Sequence, residues 1–230
     1  MTGAALDTAW AVRWVRAAAD AVAEHRAELV DLDRAIGDGD HGENMDRGFT
    51  AVREKLDDEF TGPGAVLKMV AMTLMSKVGG AAGPLYGTAF LRAATSLGDD
   101  DASAEAVAAM LAAARDGVVS RGKAEVGDAT MVDAWTPAVD AAVQAASSGA
   151  SPADVLTAAA DAAQTGAEST DALQARKGRA SYLGERSIGH RDPGAVSTVL
   201  LLRAAASAAS AGAESAAGAD GDGDAAESRG

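Results

Sequence analysis

Asp33-Arg34-Ala35-Ile36-Gly37-Asp38-Gly39-Asp40-His41-Gly42-Glu43-Asn44 separates two families of fold. Gly37, Gly39 and Gly42 satisfy the G-x-G-x-x-G pattern of a dinucleotide-binding βαβ unit, which needs a strand before it. The residues before it repeat at helical spacing instead: Trp10, Trp14, Ala18 and Val22 fall at i, i+4 intervals. Asp38 and Asp40 would also repel a bare pyrophosphate, so the Rossmann reading fails. An EF-hand opening at Asp38 requires Gly at its sixth position and Glu at its twelfth, where this chain has Glu43 and Phe49. What remains is a helix, an acidic loop and a second helix.

Outward from this loop the same periodicity continues, and it predicts an all-α fold of eight helices. The first helix is expected around Asp7 to Asp31. Met45, Phe49, Val52 and Leu56 mark the second, and Leu67, Val70, Leu74 and Val78 the third. The fourth is expected from about Leu85 to Leu97. The fifth starts near Ser103, and Val132, Trp135, Val139 and Val143 define the sixth. Ser151-Pro152 reads as an N-cap with proline at the first helical position, opening a seventh helix that reaches about Arg176. The eighth begins near Ala195. No stretch alternates with period two. Composition agrees, because the 48% of hydrophobic residues are mostly Ala, Leu, Val and Met, with 3% aromatic.

The helical domain is expected over residues 1–210. Residues 211–230 hold Ala, Gly, Ser, Asp, Glu and one Arg, too little apolar surface to order, and are expected to form a disordered acidic tail. A net charge of −14 argues against nucleic acid and anionic membrane surfaces as partners. There is no cysteine, which excludes disulfides, thiol nucleophiles and zinc–thiolate sites. No hydrophobic signal core is evident between Met1 and Trp14, and no apolar run is expected to span a membrane. A cytoplasmic protein is the expectation.

The connections divide into two kinds. Those around Asp57 to Gly64, Gly98 to Ala102 and Ser147 to Gly149 are ordinary turns. Asp33 to Asn44, Gly79 to Pro84, Arg121 to Thr130 and Lys177 to Gly194 are longer or richer in glycine and polar groups. In an up-down array of antiparallel helices, these four alternate connections lie at one end. They are expected to converge on a single site.

Within that site each loop has its own chemistry. Asp33, Asp38 and Asp40 offer only oxygen, which suits a hard cation such as Mg²⁺. Two carboxylates about 4 Å apart repel by roughly 4 kcal/mol at an effective dielectric near 20, so a cation or solvent must compensate them. An acidic turn or an aspartate helix cap would use the same residues. Gly79-Gly-Ala-Ala-Gly-Pro-Leu-Tyr-Gly87 lets a ligand approach backbone N–H groups at a helix start, although a tight interhelical turn explains it equally. It lacks the lysine and hydroxyl pair of a P-loop. Six of the nineteen residues from Arg176 to Gly194 are Lys, Arg or His, a cationic counterpart to the aspartates. His41 and His190 lie in polar loops, where a hydrogen-bonding role is expected over acid–base work.

Taken together, Gly37-Asp-Gly-Asp-His-Gly42, Gly79 to Gly87, Gly127-Asp-Ala-Thr-Met-Val-Asp133 and Gly178-Arg-Ala-Ser-Tyr-Leu-Gly-Glu-Arg-Ser-Ile-Gly-His190 resemble the ADP-binding L subunits of dihydroxyacetone kinase, over residues 8 to 210. The resemblance implies an eight-helix antiparallel up-down barrel with ADP or ATP and two Mg²⁺ at one end. By motif position it implies Asp33, Asp38 and Asp40 as metal ligands. It implies His41, Gly42, Glu43, Asn44, Ala81, Ala82, Gly122, Met131, Arg179, Asp192, Pro193 and Gly194 as nucleotide contacts. The chain departs from the family pattern at Ala82, often serine, and Ala129, often lysine. The resemblance further implies phosphoryl transfer to dihydroxyacetone on a separate K subunit, with ADP rephosphorylated in place by a phosphohistidine M subunit of the phosphotransferase system. A homodimer is compatible with it. The alternatives are an ATP-dependent kinase subunit for a related small ketose or polyol, and a nucleotide-loaded regulatory module.

Overall fold

The computed structural model describes residues 5–221, and among them the fold is all-α. Nine α-helices follow in order: α1 (Thr8–Glu24), α2 (Arg26–Ile36), α3 (His41–Arg53), α4 (Pro63–Lys77), α5 (Ala82–Leu97), α6 (Ala104–Gly122), α7 (Met131–Ser147), α8 (Pro152–Ser169) and α9 (Pro193–Gly221). Two 3₁₀ segments, Thr170–Ala172 and Arg179–Ser187, lie between α8 and α9. Among the described residues the one extended pairing is an isolated bridge between Leu6 and Ala102.

From α3 onward each helix packs on the next, α3 and α4 both pack on α1, and α9 returns to α1, so the circuit of neighbours closes. The seam is made by tryptophan. Trp10 and Trp14, one turn apart on α1, stack with ring centroids 5.2 Å apart. Each indole N–H donates to an α9 carbonyl, Trp10 to Ala205 at 3.2 Å and Trp14 to Leu201 at 2.9 Å. Phe90 of α5 meets Trp14 from across the interior, 5.7 Å between centroids. Elsewhere the core is filled largely by alanine, valine and leucine, whose small side chains let helices approach closely.

Three expectations change. The first predicted helix is two: the chain breaks at His25, with φ −92° and ψ 9°, and no glycine or proline announces it. Leu29, buried on α2, stays seven residues from Val22, so the apolar period runs unbroken through the bend. The seventh predicted helix stops at Ser169 rather than near Arg176, and the residues beyond it form 3₁₀ turns. A stretch with membrane-spanning length and apolarity does exist, Pro193–Gly212, with mean hydropathy 1.4. Its most apolar window is 67% buried within the protein, so its apolar surface is spent on the core. The backbone of α9 continues to Gly221, past the expected domain boundary at 210, and residues 222–230 of the expected acidic tail lie outside the described residues.

Candidate functional site

The four polar connections meet around one cavity of about 490 Å³, lined by Asp33, Gly37, Asp38, Asp40 and His41, by Gly79 to Ala82, by Gly122 and Ala129 to Val132, and by Lys177 to Ala180 with Asp192 to Gly194. That volume lies within the usual range for small-molecule sites.

The acidic wall is built by a helix end and a short turn. Asp33 sits in the last turn of α2 rather than in the loop where it was expected, and the connection shrinks to Gly37–Asp40. Its Oδ2 accepts from the backbone N–H groups of Asp40, at 2.8 Å, and His41, at 3.1 Å, folding the turn back onto the helix. Asp33, Asp38 and Asp40 then each offer an oxygen within 4.8 Å of the others. Oxygen-only donors so close together fit a hard divalent cation. Arg179 partly neutralises them, its Nη2 lying 2.9 Å from Asp38 Oδ2. Gly42 is what allows α3 to start here: a Cβ on it would collide with the backbone carbonyl of Arg26 on α2.

Opposite lies the start of α5. Gly80, at φ +62°, turns the chain into it, and no side chain caps its first turn. Its N–H groups and the positive end of the helix dipole therefore remain for an anion. This also answers the departure at Ala82, because backbone donors stand where a hydroxyl is absent. Two further helix starts at the cavity carry their own carboxylates. Asp133 accepts from the N–H groups of Gly127 and Thr130, at 2.5 and 2.8 Å, in a capping box with Thr130. Asp192 Oδ2 accepts from Ala195 N at 2.7 Å. Burial raises the Asp192 carboxyl to about 7, with the negative charges of Asp133 and Asp33 adding to the rise and hydrogen bonds from Ala195 and Gly194 opposing it. Ala129 holds φ +56°, a left-handed conformation that strains a residue with a Cβ.

The long basic segment is an ordered cap. Arg191 grips the Asp171 carboxylate with two hydrogen bonds of 3.0 and 2.7 Å, and Gly189 N donates to Asp171 O at 2.7 Å. A second small apolar cluster, Ile36, Ala129, Ala175 and Ala180, packs beneath it. Of its six basic residues only Lys177 and Arg179 line the cavity. Arg191 is consumed by Asp171, and His190 is exposed outside the cavity.

His41 is the half-buried histidine of the acidic wall. Desolvation lowers its imidazole to about 4, overcoming the opposite pull of Asp33 and Asp40, so the ring is neutral at neutral pH. Its Nε2 lies 2.9 Å from Ser197 Oγ on α9. Ser197 Oγ lies 2.6 Å from the hydroxyl of Tyr86, whose own deprotonation is opposed by complete burial.

Asp33, Asp38, Asp40, His41, Asn44, Ala81, Ala82, Gly122, Met131, Arg179, Asp192, Pro193 and Gly194 all line the cavity. Gly42 and Glu43 do not; Gly42 is packed against α2, and Glu43 is exposed and paired with Arg26 at 2.9 Å. Lys177 and Arg121 line the cavity without having been singled out, since a cation in a charged loop carries no mark of direction. Ser197 and Tyr86 were missed because they lie inside helical patterns that read as core.

The fold and its cavity define an all-helical domain with one polar mouth and a carboxylate trio suited to a hard cation. Residues 35–207 match the DAK2 domain family, and the chain belongs to that family. It is 46% identical over 200 residues to the ADP-binding subunit DhaL of the PEP-dependent dihydroxyacetone kinase of Escherichia coli K12, covering 85% of this chain and 94% of that one. It is 42% identical over 191 residues to the ADP-binding subunit DhaL of the PTS-dependent dihydroxyacetone kinase of Lactococcus lactis, covering 83% and 92%. Among solved structures, the dihydroxyacetone kinase of C. freundii in complex with AMP-PNP and Mg²⁺ superposes with a TM-score of 0.64 at 24% identity, over 85% of this chain. This chain spans about a third of that one, 33% of its length, and the likeness there is one of fold.

Proposed function

We propose that this chain is the nucleotide-binding subunit of a dihydroxyacetone kinase, a cytoplasmic phosphotransferase component that holds ADP or ATP with Mg²⁺. The observation that carries the reading is the convergence of Asp33, Asp38 and Asp40 with the uncapped start of α5 on one cavity of about 490 Å³. Identity of 46% along nearly the whole length of an ADP-binding subunit supports it.

In this reading Asp33, Asp38 and Asp40 hold the metal, two ions by family resemblance, which supplies charge neutralisation to phosphate oxygens. The N–H groups at the start of α5 receive the phosphates, and Ala81, Ala82, Gly122 and Met131 contact the nucleotide. Arg179, which now balances Asp38, becomes available to an anionic oxygen once a cation takes its place. Gly42 and Glu43 act through backbone placement of α3 rather than through side chains. The phosphoryl group passes to dihydroxyacetone on a separate K subunit, and a phosphohistidine M subunit recharges the ADP in place. Tight retention is what such a carrier needs, and a mouth that leaves the start of α5 open while carboxylates take N–H groups at the starts of α3, α7 and α9 supports it.

The test is the nucleotide content of purified protein. ADP is expected to co-purify, and Asp38→Ala is expected to abolish its retention with unchanged helicity by circular dichroism; unchanged ADP content would refute the ligand assignment. A phosphohistidine donor protein is expected to rephosphorylate the bound ADP. Free exchange with ATP, and turnover without that donor, would overturn recharging in place.

A further inference from the structure

Asn44 is the sole asparagine of the chain, and it is 6% exposed in the wall of the cavity. Arg47, about one turn further along α3, lies outside the cavity lining and reaches across to the end of α4. Its Nε donates to the carbonyl oxygen of Lys77 at 3.0 Å, and its Nη2 donates to Asn44 Oδ1. Lys77 is the last residue of α4, so its carbonyl is one of those that a helix end leaves without an intrahelical partner. One guanidinium thus ties the carboxamide of Asn44 to a helix terminus. The other end of that carboxamide is free. Asn44 Nδ2 has no hydrogen-bond partner among the described residues, and it is not a buried orphan, a state confined among them to Trp135 Nε1. It therefore opens on the cavity, 3.9 Å from where a Cβ on Gly80 would stand, in the turn that enters α5. Gly79 leaves room for this clamp: a Cβ there would come within 2.9 Å of Asn44 Oδ1 and 3.4 Å of Arg47 Nη2. Its φ is not positive, so space rather than conformation calls for glycine at that position.

We infer that Arg47 is a positioning residue that locks the Asn44 carboxamide with its NH₂ group presented, beside the open start of α5, to an anionic oxygen in the cavity. A carboxamide can be turned end for end with almost no change of shape, so only its partners decide which end faces where. Here the partner allows one choice. A guanidinium carries donors and no acceptor, so the carboxamide must meet it with oxygen and turn its nitrogen the other way. The reverse orientation would set NH₂ against guanidinium and aim Oδ1, an acceptor, at the place where an anion would sit. No titration enters this argument, because arginine stays charged and the carboxamide neutral throughout the accessible pH range. Accepting from a cation also polarises the carboxamide and strengthens its N–H groups as donors. Asn44 Nδ2 then joins the uncapped backbone N–H groups at the start of α5, a side-chain donor on the wall where Ala82 supplies none. That the anionic oxygen belongs to a phosphate of ADP or ATP rests on the nucleotide reading; the orientation of the carboxamide does not.

With a single asparagine in the chain, asparagine-selective ¹⁵N labelling leaves one side-chain NH₂ signal in the proton–nitrogen NMR spectrum, that of Asn44. In nucleotide-free protein its protons are expected to show cross-relaxation with the α-protons of Gly80, and Mg–ADP is expected to shift the signal. Asn44→Ala is expected to speed dissociation of Mg–ADP about tenfold, roughly the worth of one hydrogen bond to a charged group. Arg47→Met, which leaves the carboxamide in place but free to turn, is expected to erase the Gly80 contact and to speed dissociation less, about threefold. The double variant is expected to release Mg–ADP no faster than Asn44→Ala alone, because Arg47 acts through Asn44. Additive effects would mean that Arg47 acts by its charge at a distance, and they overturn the proposal. A wild-type amide without the Gly80 contact overturns it as well. Should either variant fail to fold, the wild-type contact and its response to Mg–ADP still decide. ADP bound with no shift of the Asn44 amide would overturn the donor role and leave the nucleotide reading standing. A protein that binds no ADP, yet whose Asn44 amide contacts Gly80 and shifts with Mg–pyrophosphate, would do the reverse.

Discussion

Away from the cavity, α6 and α8 begin under serine caps: Ser103 Oγ accepts from Ala106 N and Ser151 Oγ from Asp154 N, each at 3.2 Å. At the cavity, α5 begins with no side-chain cap, while the first N–H of α3 is taken by Asp33 at the end of α2 rather than by the helix's own N-cap residue. Every helix start leaves N–H groups without intrahelical partners, and a capping side chain recovers about 1 kcal/mol. The far end takes that stabilisation on α6 and α8, whereas α4 opens on Gly62 and Pro63 without a side-chain cap. The mouth forgoes it on α5 and keeps the donors for something that is not protein. The mouth is itself divided, because α7 and α9 start there with carboxylates of their own, Asp133 and Asp192. The start of α5 is thus prepared for an anion, and those of α7 and α9 are closed to one.

That contrast can be broken directly. Ala81→Asp would set a carboxylate at the start of α5 and convert an open helix start into an acidic one. Affinity for Mg–ADP, by calorimetry, is expected to fall tenfold or more, while the nucleotide-free protein is no less stable because an acid suits a helix N-terminus. Undiminished affinity would mean that this start does not face the phosphates. At the far end, Ser151→Ala is expected to lower stability by about 1 kcal/mol in urea unfolding and to leave ADP binding unchanged. A loss of binding there would deny the division of labour between the two ends.

A third test concerns pH. His41 is lowered to about 4 from 6.5, so the unfolded chain binds its proton first, and the fold loses stability as pH falls from about 6.5 to about 4. Asp192 is raised to about 7 from 3.8, so the fold holds its proton more tightly, and stability falls as pH rises from about 4 to about 7. The two slopes oppose each other over most of this window. Asp192→Asn removes the second alone, and the nucleotide-free variant is expected to gain stability steadily from pH 4 to 6.5, where the wild type stays nearly flat. A flat profile in the variant would show that His41 does not carry the opposing slope.

Helical class was legible because alanine, leucine and valine recur at a single period over most of the chain, and a period is a local property. The gathering of the four polar loops was legible for a related reason. Alternating long and short connections in an antiparallel array leave little choice about which loops meet, and Asp33, Asp38, Asp40 and Arg179 do share one cavity. Where the local signal was silent, the reading slipped. The break at His25 lies between Val22 and Leu29, which keep one apolar register, so only the packing of α2 on α3 reveals it. The basic segment read as a charged loop turned out to place two of six cations at the site, because Asp171 takes Arg191, the second 3₁₀ segment carries Arg186 elsewhere and His190 lies exposed beyond it.

The trio of aspartates shows where the two sources of information part. Their identity, spacing and preference for a hard cation are properties of Asp33 to Asp40 alone. Their convergence within 4.8 Å is not, since it depends on Asp33 riding the end of α2 and turning its carboxylate onto the N–H groups of Asp40 and His41. The hydroxyl chain of Tyr86 and Ser197 is further still from the sequence. Its members stand 111 residues apart and each occupies an unremarkable helical position. Only the closure of α9 against α1 and α5 brings them together, because hydrogen bonds across helices depend on distance in space, which periodicity along the chain does not encode.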